Sequence, residues 1–274
     1  MKKTTTFLFV AIIFFSLTEA KAQFVYTTVG AGYGFSLAPM AISANYSPTN
    51  VEGVSSSFGK GILPNIGLGY SINEHLSTEI NFNYLLGSKV SFSDSYNTNT
   101  PKETEILKGR MLRIIPAIKM SAGEKIQPYA RIGLSIGVMN RLYDERTHYT
   151  SLWPSGYDTY HEISVFKGGT SIGFMGAIGA DYHLSDNFLI YAEVGTISQS
   201  WAPKKMLKTT YEVNGVDKLA TLDKRDKETD FVDSYNPAAS IPTTQPNKSL
   251  KIYLPYSSWG INIGVRINFG KKKE

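Results

Sequence analysis

The stretch Trp259 to Phe269 reads WGINIGVRINF, in which every second residue is large and apolar and the residues between are glycine, asparagine or arginine. Alternation with a period of two puts successive side chains on opposite faces of a strand and is incompatible with a helix. The same pattern recurs over 24–36, 62–72, 76–87, 111–121, 126–138, 171–184 and 188–200, giving eight segments in all. In each, one row is apolar and the other is rich in glycine, serine, asparagine and occasional charges. A chain of eight such segments folds as a soluble sandwich or as a closed barrel.

The connections decide between the two. Asn73–His75, Ala122–Lys125 and Ser185–Asp186 are tight, whereas 37–61, 88–105, about 143–165 and 202–249 are long. Regular alternation of short and long connections sorts the turns to one end and the loops to the other, as in bacterial outer-membrane barrels. The expected fold is all-β: an eight-stranded antiparallel up-and-down transmembrane β-barrel with short periplasmic turns, long extracellular loops and both termini periplasmic. The apolar row then faces lipid, and the small and polar row fills a lumen narrow enough to be plugged by side chains. Pro64, Pro116, Pro128 and Pro255 lie within strand patterns. Pro116 in particular implies a bulge or a locally broken ladder in the fourth strand.

Residues 1–22 have the build of a secretory signal peptide. Lys2 and Lys3 precede an apolar run from Phe7 to Leu17, and Ala20-Lys21-Ala22 is a small-x-small cleavage site, so the mature barrel domain is expected to span 23–274. Cleavage would take the formal charge from +5 (28 minus 23) to +3 (25 minus 22). Such a mild balance, with no basic cluster on a helix, argues against nucleic acid. The chain has no cysteine. Disulfides, cysteine metal sites, thiol nucleophiles and lipidated cysteines are thereby excluded.

Two segments resemble a known family. Arg113-Ile-Ile-Pro-Ala117 and Gln127-Pro-Tyr-Ala-Arg-Ile-Gly133 are similar to the fourth-strand "IP" and fifth-strand "PYxxxG" segments of the outer-membrane-protein β-barrel domain family, the OmpA/OmpX-type barrels that include PorT-like proteins. The resemblance implies a barrel in the outer membrane, surrounded by its lipid. It also implies that Trp259, Ile261, Ile263, Val265, Ile267 and Phe269 form the terminal signal read by the barrel-insertion machinery. It leaves function open, because this fold carries adhesins, enzymes, stabilisers and secretion accessories.

His75 and His183 adjoin short turns while His148 and His161 fall in the third long connection, without metal-ligand spacing. No metal or cofactor is expected. Asp144, His148, Asp158 and His161 could serve a rim hydrolase, but such residues are ordinary in a polar loop, and the chain is not expected to be an enzyme. The repeated glycines Gly30, Gly32, Gly34, Gly67 and Gly69 sit on strands, so they read as lumen packing and not as phosphate loops. In the third long connection Trp153 and Tyr157 are candidates for contacting an extracellular glycan or protein ligand; Tyr143 and Tyr160 fit the aromatic girdle.

Counting inward positions upward from the short turns places Glu79, Lys119, Arg131, Asp181, Glu193 and Arg266 in one lumen layer of zero net charge. Six charges in a narrow lumen are expected to pair. The favoured reading is a monomeric barrel scaffold or binding protein whose loops contact a partner. A small channel, an accessory component of a secretion system and a barrel-embedded hydrolase stay open as alternatives.

Overall fold

The computed structural model describes residues 24–95, 102–151, 156–238 and 240–269. The expected signal peptide lies outside the described residues. Eight strands form the barrel: β1 (Phe24–Ser36), β2 (Gly61–Ser71), β3 (Leu76–Gly87), β4 (Glu103–Ser121), β5 (Ile126–Ser151), β6 (Ser171–His183), β7 (Phe188–Trp201) and β8 (Ser258–Phe269). Each pairs antiparallel with the next, and β1 closes on β8 from Val25↔Phe269 to Ser36↔Ser258. Closure leaves the barrel without the unpaired edge that an open sheet would carry.

Four residues separate β2 from β3, β4 from β5 and β6 from β7. Asn73 shapes the first of these turns, its side-chain oxygen accepting from the His75 and Leu76 backbone amides at 2.9 and 2.8 Å. The start of β1 and the end of β8 lie at this same end of the barrel.

The long connections emerge at the opposite end and contain much β structure of their own. The third, expected as a loop over about 143–165, is mostly strand: β5 runs on to Ser151 and pairs with a returning strand, Tyr157–Lys167. The hand-over is a bulge. Below it β5 pairs with β6, above it with 157–167, and the β4–β5 register shifts by one residue between Arg110 and Leu112. Met139, at the bulge, has φ +52°, a left-handed conformation that costs a non-glycine residue about 1–2 kcal/mol. Strand 205–213 from the fourth connection adds to 157–167, and 228–232 adds to 205–213. The result is a sheet standing above the barrel wall. At the tip of the fourth connection Asp223 caps a single helical turn, 224–227, by accepting from the Asp226 amide at 3.1 Å.

The prolines are accommodated by gaps in the ladder. Pro116 pairs with Ile80 of β3, while on the β5 side the ladder lapses between Ile114 and Ala117 with no change of register. The β2–β3 ladder lapses around Pro64 in the same way. Pro255 lies outside β8, in a two-residue bridge with the end of β7.

Inside, inward residues alternate with the apolar exterior on every strand. Glycines make room for lumen aromatics where strands come close: a Cβ at Gly69 would land in the Tyr26 ring, and one at Gly30 would collide with the Tyr191 hydroxyl.

Candidate functional site: a sealed lumen beneath a loop-borne sheet

The inner row of β4, read upward from the short-turn end, gives the lumen's layers in order. Lys119 lies in a charged layer, Ala117 and Ile115 in a thin apolar layer, Arg113 in a polar layer, and Met111 and Leu107 in an apolar plug.

All six charges expected in one layer meet there, in two triads. Arg131 on β5 donates from Nη1 to Glu79 Oε2 on β3 at 3.0 Å and from Nη2 to Glu193 Oε1 on β7. Asp181 Oδ2 on β6 accepts from Lys119 Nζ on β4 at 2.7 Å and from Arg266 Nη1 on β8 at 2.9 Å. Every pair skips one strand, so the contacts cross the lumen and do not run along a ladder. The first triad carries net charge −1 and the second +1. Aromatic residues join them: Tyr26 donates to Glu79 at 2.7 Å while the Arg266 guanidinium lies 3.6 Å from its ring centre. Tyr129 donates to Glu193 at 3.0 Å, and Lys119 Nζ stands 3.8 Å from the Tyr129 ring centre. Both cations thus gain π-face contacts in addition to their carboxylate. Asn81 and Asn262 donate to Glu79 and Glu193 at 3.1 and 3.2 Å. A cavity of about 70 Å³ lies beside Arg131, Glu193, Asn65 and Asn81, with room for a few water molecules.

Arg113 was on the inner row in the sequence but fell outside the expected layer. It is fully buried, donating from Nε to Gln199 Oε1 at 3.0 Å and from Nη2 to the Tyr256 carbonyl at 2.9 Å. No carboxylate pairs with it among the described residues. Above it Phe58, Leu85, Met111, Leu142, Trp201 and Tyr256 form the plug. Phe58 and Tyr256 come from the first and fourth long connections, which are tied together over the lumen by Phe58 N to Pro255 O at 2.8 Å and Ser57 Oγ to Ser257 O at 2.6 Å.

The sheet above the barrel has an inner face lined by Asp144, Arg146, Glu162, Lys208, Tyr211 and Arg225 around a groove of about 550 Å³. Lys208 pairs with Glu162 at 2.8 Å. Burial, followed by the neighbouring Glu105 carboxylate, pushes Asp144 up to about 7, and burial also raises Glu105. The hydrolase candidates do not come together. His148 stacks on Tyr160 with ring centres 5.0 Å apart, His161 faces Thr147, and Asp158 accepts from Asn214 at 2.7 Å. Among the described residues no group of three or more acidic, histidine or cysteine side chains is arranged to hold a metal ion. Tyr157 is exposed at the start of its strand; Trp153 lies outside the described residues.

The outer membrane protein beta-barrel domain family matches residues 7–214. The chain belongs to that family. No curated protein matches it. Membership places the protein in the bacterial outer membrane, and the exterior of the barrel is built accordingly. Trp259, Ile261, Ile263, Val265 and Phe269 of the terminal strand all point outward and are exposed, with Ile267 half-buried in the same row. Exposed Tyr70, Tyr182, Phe188 and Phe269 ring the barrel near the short turns, and Phe35, Tyr84 and Trp259 ring it near the long-loop end, Phe35 and Trp259 stacking at 4.6 Å. Ten residues of β1 separate the two rings, from Val25 to Phe35. At about 3.3 Å per residue and a tilt of about 40°, that is about 25 Å, the height of the apolar band of an outer-membrane barrel.

Proposed function

We propose that this protein is a closed outer-membrane scaffold whose loop-borne sheet binds a partner outside the cell. The observation that carries this reading is the doubly sealed lumen, a paired-charge layer below and an apolar plug above, beneath strands that continue well past the barrel rim. A conducting pore needs connected water, which buried ion pairs and an apolar plug across the lumen oppose. In this reading the short turns and both termini face the periplasm and the sheet faces outward. The groove between Asp144, Arg146, Lys208 and Tyr211 offers charge of both signs beside an aromatic ring, which suits a polar glycan or a charged peptide. Tyr157, exposed at the start of strand 157–167, and Trp153, four residues before it in the sequence, are the aromatic candidates for that contact.

The test combines a measurement on the purified protein with one on intact cells. Planar-bilayer recording is expected to give no sustained conductance, and Trp153→Ala with Tyr157→Ala is expected to keep heat-modifiable gel migration while abolishing cell-surface binding. Large, stable conductance would move the channel above the scaffold. Binding that survives the double substitution would remove Trp153 and Tyr157 from the contact surface.

A further inference from the structure

Four cations stand in one cross-strand row on the outside of the molecule. The register pairs Arg110 of β4 with Arg141 of β5, Arg141 with Lys167, and Lys167 with Lys205. All four share the outward face, because their sequence neighbours point the other way: Leu142 and Phe166 belong to or pack on the apolar plug, and Met206 lines the inner groove. Lys108, one step higher on β4, faces outward beside Tyr143. Like charges placed directly opposite across strands repel by several tenths of a kcal/mol per pair. Three consecutive such pairs in one row are unfavourable unless something anionic lies over them.

The protein supplies little of that anion. Among the described residues the carboxylate that pairs with the row is Asp230, 3.4 Å from Lys205. Arg110 packs against the Tyr143 ring at 5.3 Å and its Nε has no hydrogen-bond partner, while Arg141 is exposed on the same face of β5 as Tyr143. The position of the row is equally specific. It sits immediately above the apolar belt, in register with Leu86 of β3 at one end. Directly beneath it are the most exposed apolar residues of the wall, Met139 and Ile172 at 71% each, followed by Phe174 and Ile132. The row spans three inter-strand gaps, about 14 Å.

We infer that this face is a binding site for a phosphorylated glycolipid of the outer leaflet, with its phosphates on Arg110, Arg141, Lys167 and Lys205 and its acyl chains against Ile172, Phe174 and Ile132. Guanidinium forks take phosphate oxygens two at a time, and the exposed apolar wall gives the chains a surface to lie on. Free phosphate would gain the first contact without the second. The inference rests on the long-loop end facing outward, which surface tagging tests separately; lipid binding in detergent is independent of orientation.

The experiment measures the unfolding temperature and binding of the purified full chain in detergent with bisphosphorylated lipid A, with the same lipid dephosphorylated, and with inorganic phosphate. Stabilisation by the phosphorylated lipid alone is expected. Arg141→Gln with Lys167→Gln is expected to weaken that binding by about tenfold per cation removed while heat-modifiable migration is retained. Lys125→Gln, at a cation in the β4–β5 turn at the opposite end of the barrel, where it stands over the Tyr182 ring, is the control and should bind as the unmodified chain does. Equal stabilisation by the dephosphorylated lipid, by inorganic phosphate or in the double variant would overturn the site, as would no response to any of the three.

Discussion

Lys119 donates to Asp181 at 2.7 Å across the lumen, from β4 to β6, with β5 between them. The same skip relates Arg131 to Glu79 and Glu193, and Arg266 to Asp181. A triangulated set of this kind braces the barrel across its width, which neighbour-to-neighbour ladder bonds cannot do. Five of its members are buried and Arg131 is half-buried, so each depends on the others for compensation.

Removing the carboxylates should therefore loosen the barrel. Glu79→Gln with Glu193→Gln leaves Lys119, Arg131 and Arg266 facing Asp181 alone, and breaking a buried pair from one side costs about 3–5 kcal/mol. The expected result is a clear drop in the temperature of the heat-modifiable transition, with the apolar plug above still holding the lumen closed. An unchanged transition would mean that the triads contribute nothing to stability.

Arg113 should behave oppositely to Arg131. Its partners are a side-chain amide and a carbonyl, and Gln199 Oε1 also accepts from Ser135 at 3.1 Å. Arg113→Met is expected to change stability by no more than about 1 kcal/mol or to raise it, whereas Arg131→Met strands two buried carboxylates and should be strongly destabilising. Denaturant unfolding of both variants in the same detergent decides the point.

The plug should respond as a packed core. Trp201 is 1% exposed and donates from Nε1 to the Gly168 carbonyl at 2.9 Å. Trp201→Ala is expected to cost about 3–5 kcal/mol. Because the charged layer lies below and is independent of Trp201, the barrel should still not conduct; sustained current would place the seal in the plug alone.

Asp144 makes the upper sheet sensitive to pH. Its carboxyl is raised to about 7 by burial and by Glu105, so the folded sheet holds a proton that the unfolded segment has released. The stabilising contribution is complete below the ordinary carboxylate range and is lost as pH rises through about 7. Amides of 141–148 should exchange faster at pH 8 than at pH 5 after correction for intrinsic rates, and Asp144→Asn should flatten the difference. Greater protection at pH 8 would contradict the sign.

Tags at Asn50, Ser95, Trp153 and Asp230 should be reachable on intact cells, and tags at Glu74, Gly123 and Asp186 should not. The reverse pattern would invert the molecule in the membrane.

The alternation of residue types determined the strands and their two faces, because side-chain direction in a strand depends only on parity. Counting from the short turns also placed Glu79, Lys119, Arg131, Asp181, Glu193 and Arg266 at one height, since every barrel strand climbs by the same rise per residue. Which of them pair was not legible. Partners that skip a strand are brought together by closure and stagger of the whole barrel, a property no single segment carries. The plug was hidden for a related reason: Phe58 and Tyr256 come from segments outside the eight alternating strands, and only the folded loops turn them over the lumen. The row from Arg110 to Lys205 required the tertiary structure most of all. Residues 157–167 and 205–213 read as loop, and the extra residue at the Met139 bulge shifts register by one before Arg141 meets Arg110. Parity gives each of these cations a face; only the long-range pairing of four strands puts them side by side.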